Sequence, residues 1–266
     1  MFDNKLIYAM FAIFLFAAIN AAYGLEAVLF EEDFEELVLQ DTINEEVARN
    51  KVWTDIPPEG WTIEDDLCDG MPEWDGWAFA DGSWWMQTAG DQERNQFING
   101  KAEGIIAIAD PDEWDDLGSP GSRCKYNTWL STPPINIASA AAESLVLTFD
   151  SSWRPEDTQN AHLSVSFDGG AEIVIMKMTS QGTNTLYEEP LDNFDELIPD
   201  LQQVNETMEL EIPNPKGSKT VIITWAMTDA TNDWWWAIDN ISLKTTEMAV
   251  SAKGKLASTW GSVKNQ

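Results

Sequence analysis

The sequence predicts an all-β chain, two antiparallel sheets packed as a sandwich, with a long loop-rich excursion at about 50–130. Three observations predict it. Short alternating apolar runs recur between clusters of Gly, Pro, Asn and Asp, as in half-buried strands joined by turns. Helical periodicity is scarce. The 266 residues and a 44% apolar share suffice for one large β domain with appendages.

In chain order, "LFEEDFEE" (29–36) opens the domain, with Phe30 and Phe34 inward and Asp33 and Glu35 on the opposite face. "NEEVARNKV" (44–52) is expected to form two helical turns. From about 50 to 130 turn-rich stretches dominate, including "PPEGWTIEDD" and "GMPEWDGWAFADGSWWM". Within this stretch "GIIAIA" (104–109) is a buried strand. "LVLTF" (145–149) turns Leu145, Leu147 and Phe149 to one side. "HLSVSF" (162–167) does so with Leu163, Val165 and Phe167, then turns at "DGG". "TMELEI" (207–212) points Met208, Leu210 and Ile212 inward. "KTVIITWAM" (219–227) is apolar on both faces and is expected to be central. "DNFDELIPDLQQV" (192–204) contains Pro199 and is expected to be a loop with one helical turn. No repeat of fixed period occurs.

The formal charge is −31 and the pI about 4.1. Such a surface repels phosphate backbones and anionic membranes, so nucleic acid is not an expected partner. The N-terminus carries Lys5, the apolar stretch "LIYAMFAIFLFAAIN" and small residues at Ala22 and Gly24. Residues 1–24 therefore predict an export signal cut before Leu25, with an uncleaved anchor as the alternative. No other segment is apolar enough to span a bilayer. Secretion or a cell-surface location follows, and in an oxidising compartment Cys68 and Cys124 are expected to form a disulfide rather than two buried thiols. The stretch 245–266 holds Lys253, Lys255 and Lys264 against one acid, Glu247, and is expected to be a flexible basic tail.

Several chemistries are excluded or weakened. His162 is the single histidine, and on its strand it is expected to face solvent. A Ser-His-Asp triad would have to be built on it without a supporting motif, and histidine-rich catalytic zinc sites are ruled out. No Gly-rich phosphate loop is present. The E-x-D-x-x-E strand pattern of one large glycosidase group is absent, though a carboxylate pair among Asp69, Glu73, Asp75, Asp110 and Asp112 would allow another glycan hydrolase.

Cation binding through oxygen is better supported. In "DWWWAIDNISL" (233–243) strand alternation places Asp239 with Trp235, Ala237, Ile241 and Leu243 on a core-like face. A buried carboxylate must be paired, protonated or metal-bound. Calcium prefers Asp, Glu and carbonyl oxygens, and Asp33 and Glu35 are candidate partners. Arg154 in "SSWRPED" is the alternative companion. "ADPDEWDD" (109–116) lacks the spacing of an EF-hand loop and is expected to be an exposed acidic turn. Trp74, Trp77, Trp84 and Trp85 lie among Asp and Gly in turn-rich sequence. Exposed there, they would suit the faces of sugars; the alternative is that they cap the core.

In order along the chain, "LFEEDFEE", "PPEGWTIEDD", "TWLSTPPINI", "VSFDGG" and "WWAIDNISL" resemble the bacterial MAM, cleaved-adhesin and choice-of-anchor modules over about 29–243. The resemblance implies a jelly roll at 25–244, an extracellular role in adhesion, and a structural calcium near the paired terminal strands. Asp239 and Glu35, with Asp33, match the positions that would hold it. The stretch 50–130 departs from simpler members, so a ligand surface there is not implied. The expectation is a secreted, non-catalytic module binding a glycan or a protein, with calcium as its cofactor. The alternatives are a structural subunit of an extracellular assembly, the carboxylate-pair hydrolase, and an accessory module like those of secreted phosphoesterases.

Overall fold

The computed structural model describes residues 26–88, 90–156, 158–189, 194–198 and 204–249. The proposed signal at 1–24 and most of the basic tail lie outside them. Fifteen strands are present among the described residues: β1 (Ala27–Glu32), β2 (Trp53–Thr54), β3 (Thr62–Asp65), β4 (Trp77–Asp81), β5 (Ile105–Ala109), β6 (Tyr126–Ser131), β7 (Ile135–Asn136), β8 (Leu145–Trp153), β9 (Asn160–Phe167), β10 (Ile173–Gln181), β11 (Asn184–Glu189), β12 (Phe194–Ile198), β13 (Val204–Ile212), β14 (Thr220–Ala230) and β15 (Trp236–Thr245). Three short helices, α1 (Gly82–Thr88), α2 (Asn95–Ile98) and α3 (Pro111–Asp115), interrupt them.

All pairings are antiparallel. One sheet runs β13-β8-β15-β5-β4-β2, with β1 also on β15; the other runs β12-β11-β10-β9-β14-β6-β3, with β7 on β14. The central strands β14 and β15 carry apolar residues on both faces, as strands buried on two sides do. This is why "KTVIITWAM" becomes β14 and the tryptophan run becomes β15. Indoles fill the space between the sheets. Trp225 of β14 meets Phe149 of β8 edge-on at 5.7 Å and stacks with Trp61 at 6.1 Å. Two indole nitrogens are answered by hydroxyls: Trp153 Nε1 donates to Thr185 Oγ1 at 2.9 Å, and Trp236 Nε1 to Ser151 Oγ at 3.0 Å.

Several expectations are refined or corrected. The loop-rich stretch at 50–130 supplies β2 to β6, so it is woven into both sheets as well as carrying loops. Residues 44–52 form bends rather than a helix, because Val52 N donates to Gln40 O and Gln40 N to Trp53 O, which holds the segment in a loop. Phe194–Ile198 is a strand on β11 instead of a helical turn; residues 190–193 and 199–203 lie outside the described residues. At the start of the tail, Met248 bridges Ala140 and Ala249 N donates to Ser139 O, so the chain is pinned to the body as far as 249. His162 is half-buried, and burial pushes its imidazole down. No described helix is long and apolar enough to cross a membrane.

Candidate functional site

The strands β1 and β5 lie end to end along the same side of β15. Glu32 of β1 pairs with Ile241, while Ala107 of β5 pairs with Ile238. Asp239 and Asn240 fall at the gap between them. On the other side β8 loses register between Asp239 and Ser242, a bulge in which Asn240 takes a φ of 52°. Three segments therefore meet at one point: the end of β1 with residues 33–36, the approach to β5 at 103–105, and the bulge of β15.

Asp239 is 1% exposed. Its Oδ2 accepts from Glu103 N at 3.1 Å and its Oδ1 from Asn240 N at 2.7 Å. Directly across the pair of strands stands a second acid, Asp150. Like charges opposite one another destabilise a sheet. Here Asn240 Nδ2 spans them, donating to Asp150 Oδ2 at 3.0 Å and to Asp239 Oδ2 at 3.3 Å. Lys101 does not reach Asp239; its Nζ donates to Thr207 Oγ1, which donates to Asp150 Oδ1 at 2.5 Å. The ion pairs among the described residues both belong to Arg94. Burial pushes Asp239 up to about 7, the two amides pull against that rise, and the charges of Asp150 and Glu35 add to it.

Asp33, Glu35, Glu103, Gly104, Asp239 and Asn240 line one cavity of about 310 Å³. Glu35 Oε1 accepts from Ile105 N at 2.8 Å, and Asp33 Oδ1 from Glu35 N at 3.2 Å. Gly104, at a φ of +57°, makes room for this carboxylate: a Cβ there would lie 2.0 Å from Glu35 Oε1. The donor set is all oxygen, as calcium requires. The side chains nonetheless rest on backbone amides, and among the described residues no three His, Cys, Asp or Glu groups are gathered as a finished metal cluster. Arg154, the alternative companion of Asp239, lies elsewhere. Its guanidinium sits 3.8 Å from the centre of the Trp234 ring and donates to Gln92 O.

The four loop tryptophans are not exposed. Trp74, Trp84 and Trp85 are 0% accessible and Trp77 is 1%. Trp74 and Trp84 stack at 5.6 Å, with indole nitrogens on Glu45 Oε2 and Val47 O. Trp85 donates to Asp110 Oδ2 and lies edge-on to Trp235 at 5.3 Å. The expectation of open sugar-stacking faces is thereby corrected: α1 and the 41–47 loop fold these rings inward, because an indole buries more apolar area than any other side chain.

"ADPDEWDD" is likewise not an exposed turn. Asp110 caps α3, accepting from Glu113 N at 3.3 Å, with Pro111 in the first turn. Both Asp110 and Glu113 pair with the fully buried Arg94, at 3.0 and 2.6 Å. The guanidinium also lies 4.7 Å from the Trp85 ring centre. Burial pushes Asp110 up despite that cation. Sequence reading missed this network; the Asp-Pro helix start at 110–111 was the legible half, and the arginine was not. Of the acids suggested for a hydrolase, Asp110 is thus committed to structure. So is Glu73, whose Oε1 accepts the amides of Ile43, Asn44 and Glu45. Asp112 is held by Gln92 and Asn232 side chains, Asp69 is exposed, and Asp75 accepts from Gly70 N. Cys68 and Cys124 form a disulfide, Cα to Cα 6.1 Å.

A larger cavity of about 760 Å³ adjoins the junction and is rimmed by Glu31, Glu32, Asp33, Glu36 and Glu59. No protein-family model matches the chain, and none of the curated proteins matches its sequence. Among solved structures the chain is similar to the carbohydrate-binding module TmCBM61 in complex with β-1,4-galactotriose, at 14% identity over 70% of this chain and 88% of that one, TM-score 0.37. It is similar to the K3 cleaved-adhesin domain of Lys-gingipain from Porphyromonas gingivalis, at 11% identity over 82% and 98%, TM-score 0.41. It is also similar to a cyclase from Fischerella, at 12% identity over 87% and 100%, TM-score 0.44. A likeness this loose transfers neither ligand nor activity.

Proposed function

We propose that this chain is a secreted, non-catalytic binding module for a glycan or protein outside the cell, held together by one calcium ion at the junction of its terminal strands. The observation that carries the proposal is Asp239. A carboxylate 1% exposed, facing Asp150 across two strands and joined by no base, is a poor element of a stable fold unless a cation or a proton accompanies it. Asp239 and Glu35, with Asp33 and the Asn240 amide oxygen, would hold the ion, since all four line the same cavity. Binding would draw together carboxylates now resting on amides and fix the ends of β1 and β5 against β15. The ion would stabilise and would take part in no reaction. The disulfide supports an oxidising location.

Calorimetric melting with chelator and then with excess calcium tests the ion. A rise in Tm with calcium that Asp239→Asn abolishes is expected; identical melts in all four samples would defeat the calcium site. Glycan-array binding, with no release of reducing sugar from any glycan bound, is the expected functional result. Turnover abolished by a single Asp→Asn change would overturn the non-catalytic reading.

A further inference from the structure

The two sheets differ in what lies over their outer faces. In the sheet of β15, β5 is buried at every residue. In the sheet of β14, β6 alternates: Tyr126, Thr128 and Leu130 are buried, while Asn127, Trp129 and Ser131 are half-buried. One face of β6 therefore meets the core and the other meets water. Trp129 stands on the water side. Every other tryptophan among the described residues lies in the core or packs against it. The Trp129 indole has no ring, cation or hydrogen-bond partner among the described residues, and its N–H is not buried. A chain that folds its other indoles inward leaves this one on an open sheet face.

Strand register sets its neighbours. Glu64 of β3, Trp129, Ala226 of β14, His162 of β9, Lys177 of β10 and Glu188 of β11 stand opposite one another in a single row. Five strand spacings make the row on the order of 24 Å long. Ala226 is 0% exposed and is the smallest of the six, so the row dips between the indole and the imidazole. The next row on the same face is Thr62, Ser131, Thr224 and Ser164, hydroxyls throughout. Ser131 and Thr224 share a hydrogen bond of 2.8 Å, and Ser164 Oγ donates to Glu172 Oε2 at 3.3 Å, which leaves acceptor capacity on each oxygen. The charges of the long row sit at its ends: Glu64 at one, Lys177 opposite Glu188 at the other. Between them runs an uncharged strip, in a chain whose formal charge is −31. Burial pushes the His162 imidazole down, so near neutral pH one of its nitrogens donates and the other accepts.

An open indole flanked by groups that both donate and accept suits a sugar ring, whose C–H face stacks while its hydroxyls exchange hydrogen bonds. A metal ion finds no carboxylate within the strip. An anion finds no cation within it and meets the negative field of the whole chain. A protein partner would call for a contiguous apolar centre, and here the indole stands among hydroxyls. From this geometry we infer that the outer face of the β14 sheet, across β6, β14 and β9, binds a neutral glycan chain lying across the strands. One ring stacks on Trp129, and hydroxyls of the chain bond to His162 and to the Ser131–Thr224 row. The inference rests on the glycan-binding reading above and adds where the glycan lies and what charge it carries. The face belongs to the sheet that does not contain the Asp239 junction.

The test is isothermal titration of the full chain with neutral gluco-, manno-, galacto- and xylo-oligosaccharides, a chitosan oligomer and an oligogalacturonate. Trp129→Ala removes the platform, Trp129→Phe keeps a ring there, and His162→Ala removes the imidazole. Trp129 supports no core contact, so its variants should melt close to the wild type. The expected result is that a neutral oligosaccharide binds and the oligogalacturonate does not. Trp129→Ala should weaken binding at least about tenfold, with smaller losses for Trp129→Phe and His162→Ala. Binding should change the tryptophan fluorescence of the wild type, and Trp129→Phe should abolish that change while still binding. Tighter binding of chitosan or oligogalacturonate than of every neutral sugar overturns the chemical class. Neutral-sugar binding that Trp129→Ala and His162→Ala both leave intact overturns the location, while the glycan-binding reading stands. Absence of binding by the wild-type chain in every arm defeats that reading and this inference with it; a dimer in sedimentation that Trp129→Ala dissolves would then assign the face to a second copy.

Discussion

Asp239 should give this protein a stability that falls as pH rises, and calcium should erase the fall. In the folded chain the carboxyl holds its proton up to about 7, against 3.8 for a free aspartate. The folded state therefore binds more protons than the unfolded state throughout that interval, and stability drops with rising pH wherever that is so. The contribution is fully present below about pH 4, is lost between about pH 4 and pH 7, and is flat above. At ~1.4 kcal/mol per tenfold change, ionising Asp239 in the metal-free fold costs on the order of 4 kcal/mol; relaxation and water entry bring the expected value to about 2–4 kcal/mol. Urea unfolding in chelator, at about pH 5, pH 6, pH 7 and pH 8, measures it. Asp110 and Asp116 are raised for the same reason, burial, so part of the slope is theirs. The difference between wild type and Asp239→Asn isolates the residue. The amide cannot ionise, so in chelator near pH 8 the variant should be the more stable by about 2–4 kcal/mol, and the gap should narrow as pH falls and close near pH 4. With calcium the order should reverse, because only the carboxylate gains an ion. Parallel pH curves for the two proteins in chelator would refute the argument that Asp239 is a desolvated, unaccompanied acid.

Three more outcomes follow from the same geometry. Arg94→Leu leaves Asp110 and Glu113 buried without their cation and should destabilise by roughly 3–5 kcal/mol, with part of the loss recovered at about pH 5; equal losses at both pH values would contradict the ion-pair account. Opening the Cys68–Cys124 bridge, by reductant or by Cys124→Ser, releases a loop with a sequence separation of 56 and should lower stability by ~4 kcal/mol, read from chemical unfolding. Gly104→Ala places a methyl against Glu35 at a positive φ; it should cost about 1 kcal/mol in chelator and also blunt the calcium-induced rise in Tm, whereas a full calcium response would show that Glu35 is not a ligand.

The sequence by itself determined the sheets and the position of the odd acid. Period-two runs such as "LVLTF" and "TMELEI" carry their burial pattern locally, and Leu145, Leu147, Phe149, Met208, Leu210 and Ile212 are all buried. Asp239 was legible because strand alternation alone assigns its face. Residue type and order also anticipated the pairing of the two cysteines. What faces a loop residue depends on which distant segment folds over it, and no local pattern encodes that. Only the tertiary structure buried Trp74, Trp77, Trp84 and Trp85, supplied Arg94 to Asp110, and took Arg154 to Trp234 instead of Asp239. The bulge at Asn240 belongs to the same class. It arises where β15 meets β8, strands far apart in the chain, so it exists only once the sheet has assembled.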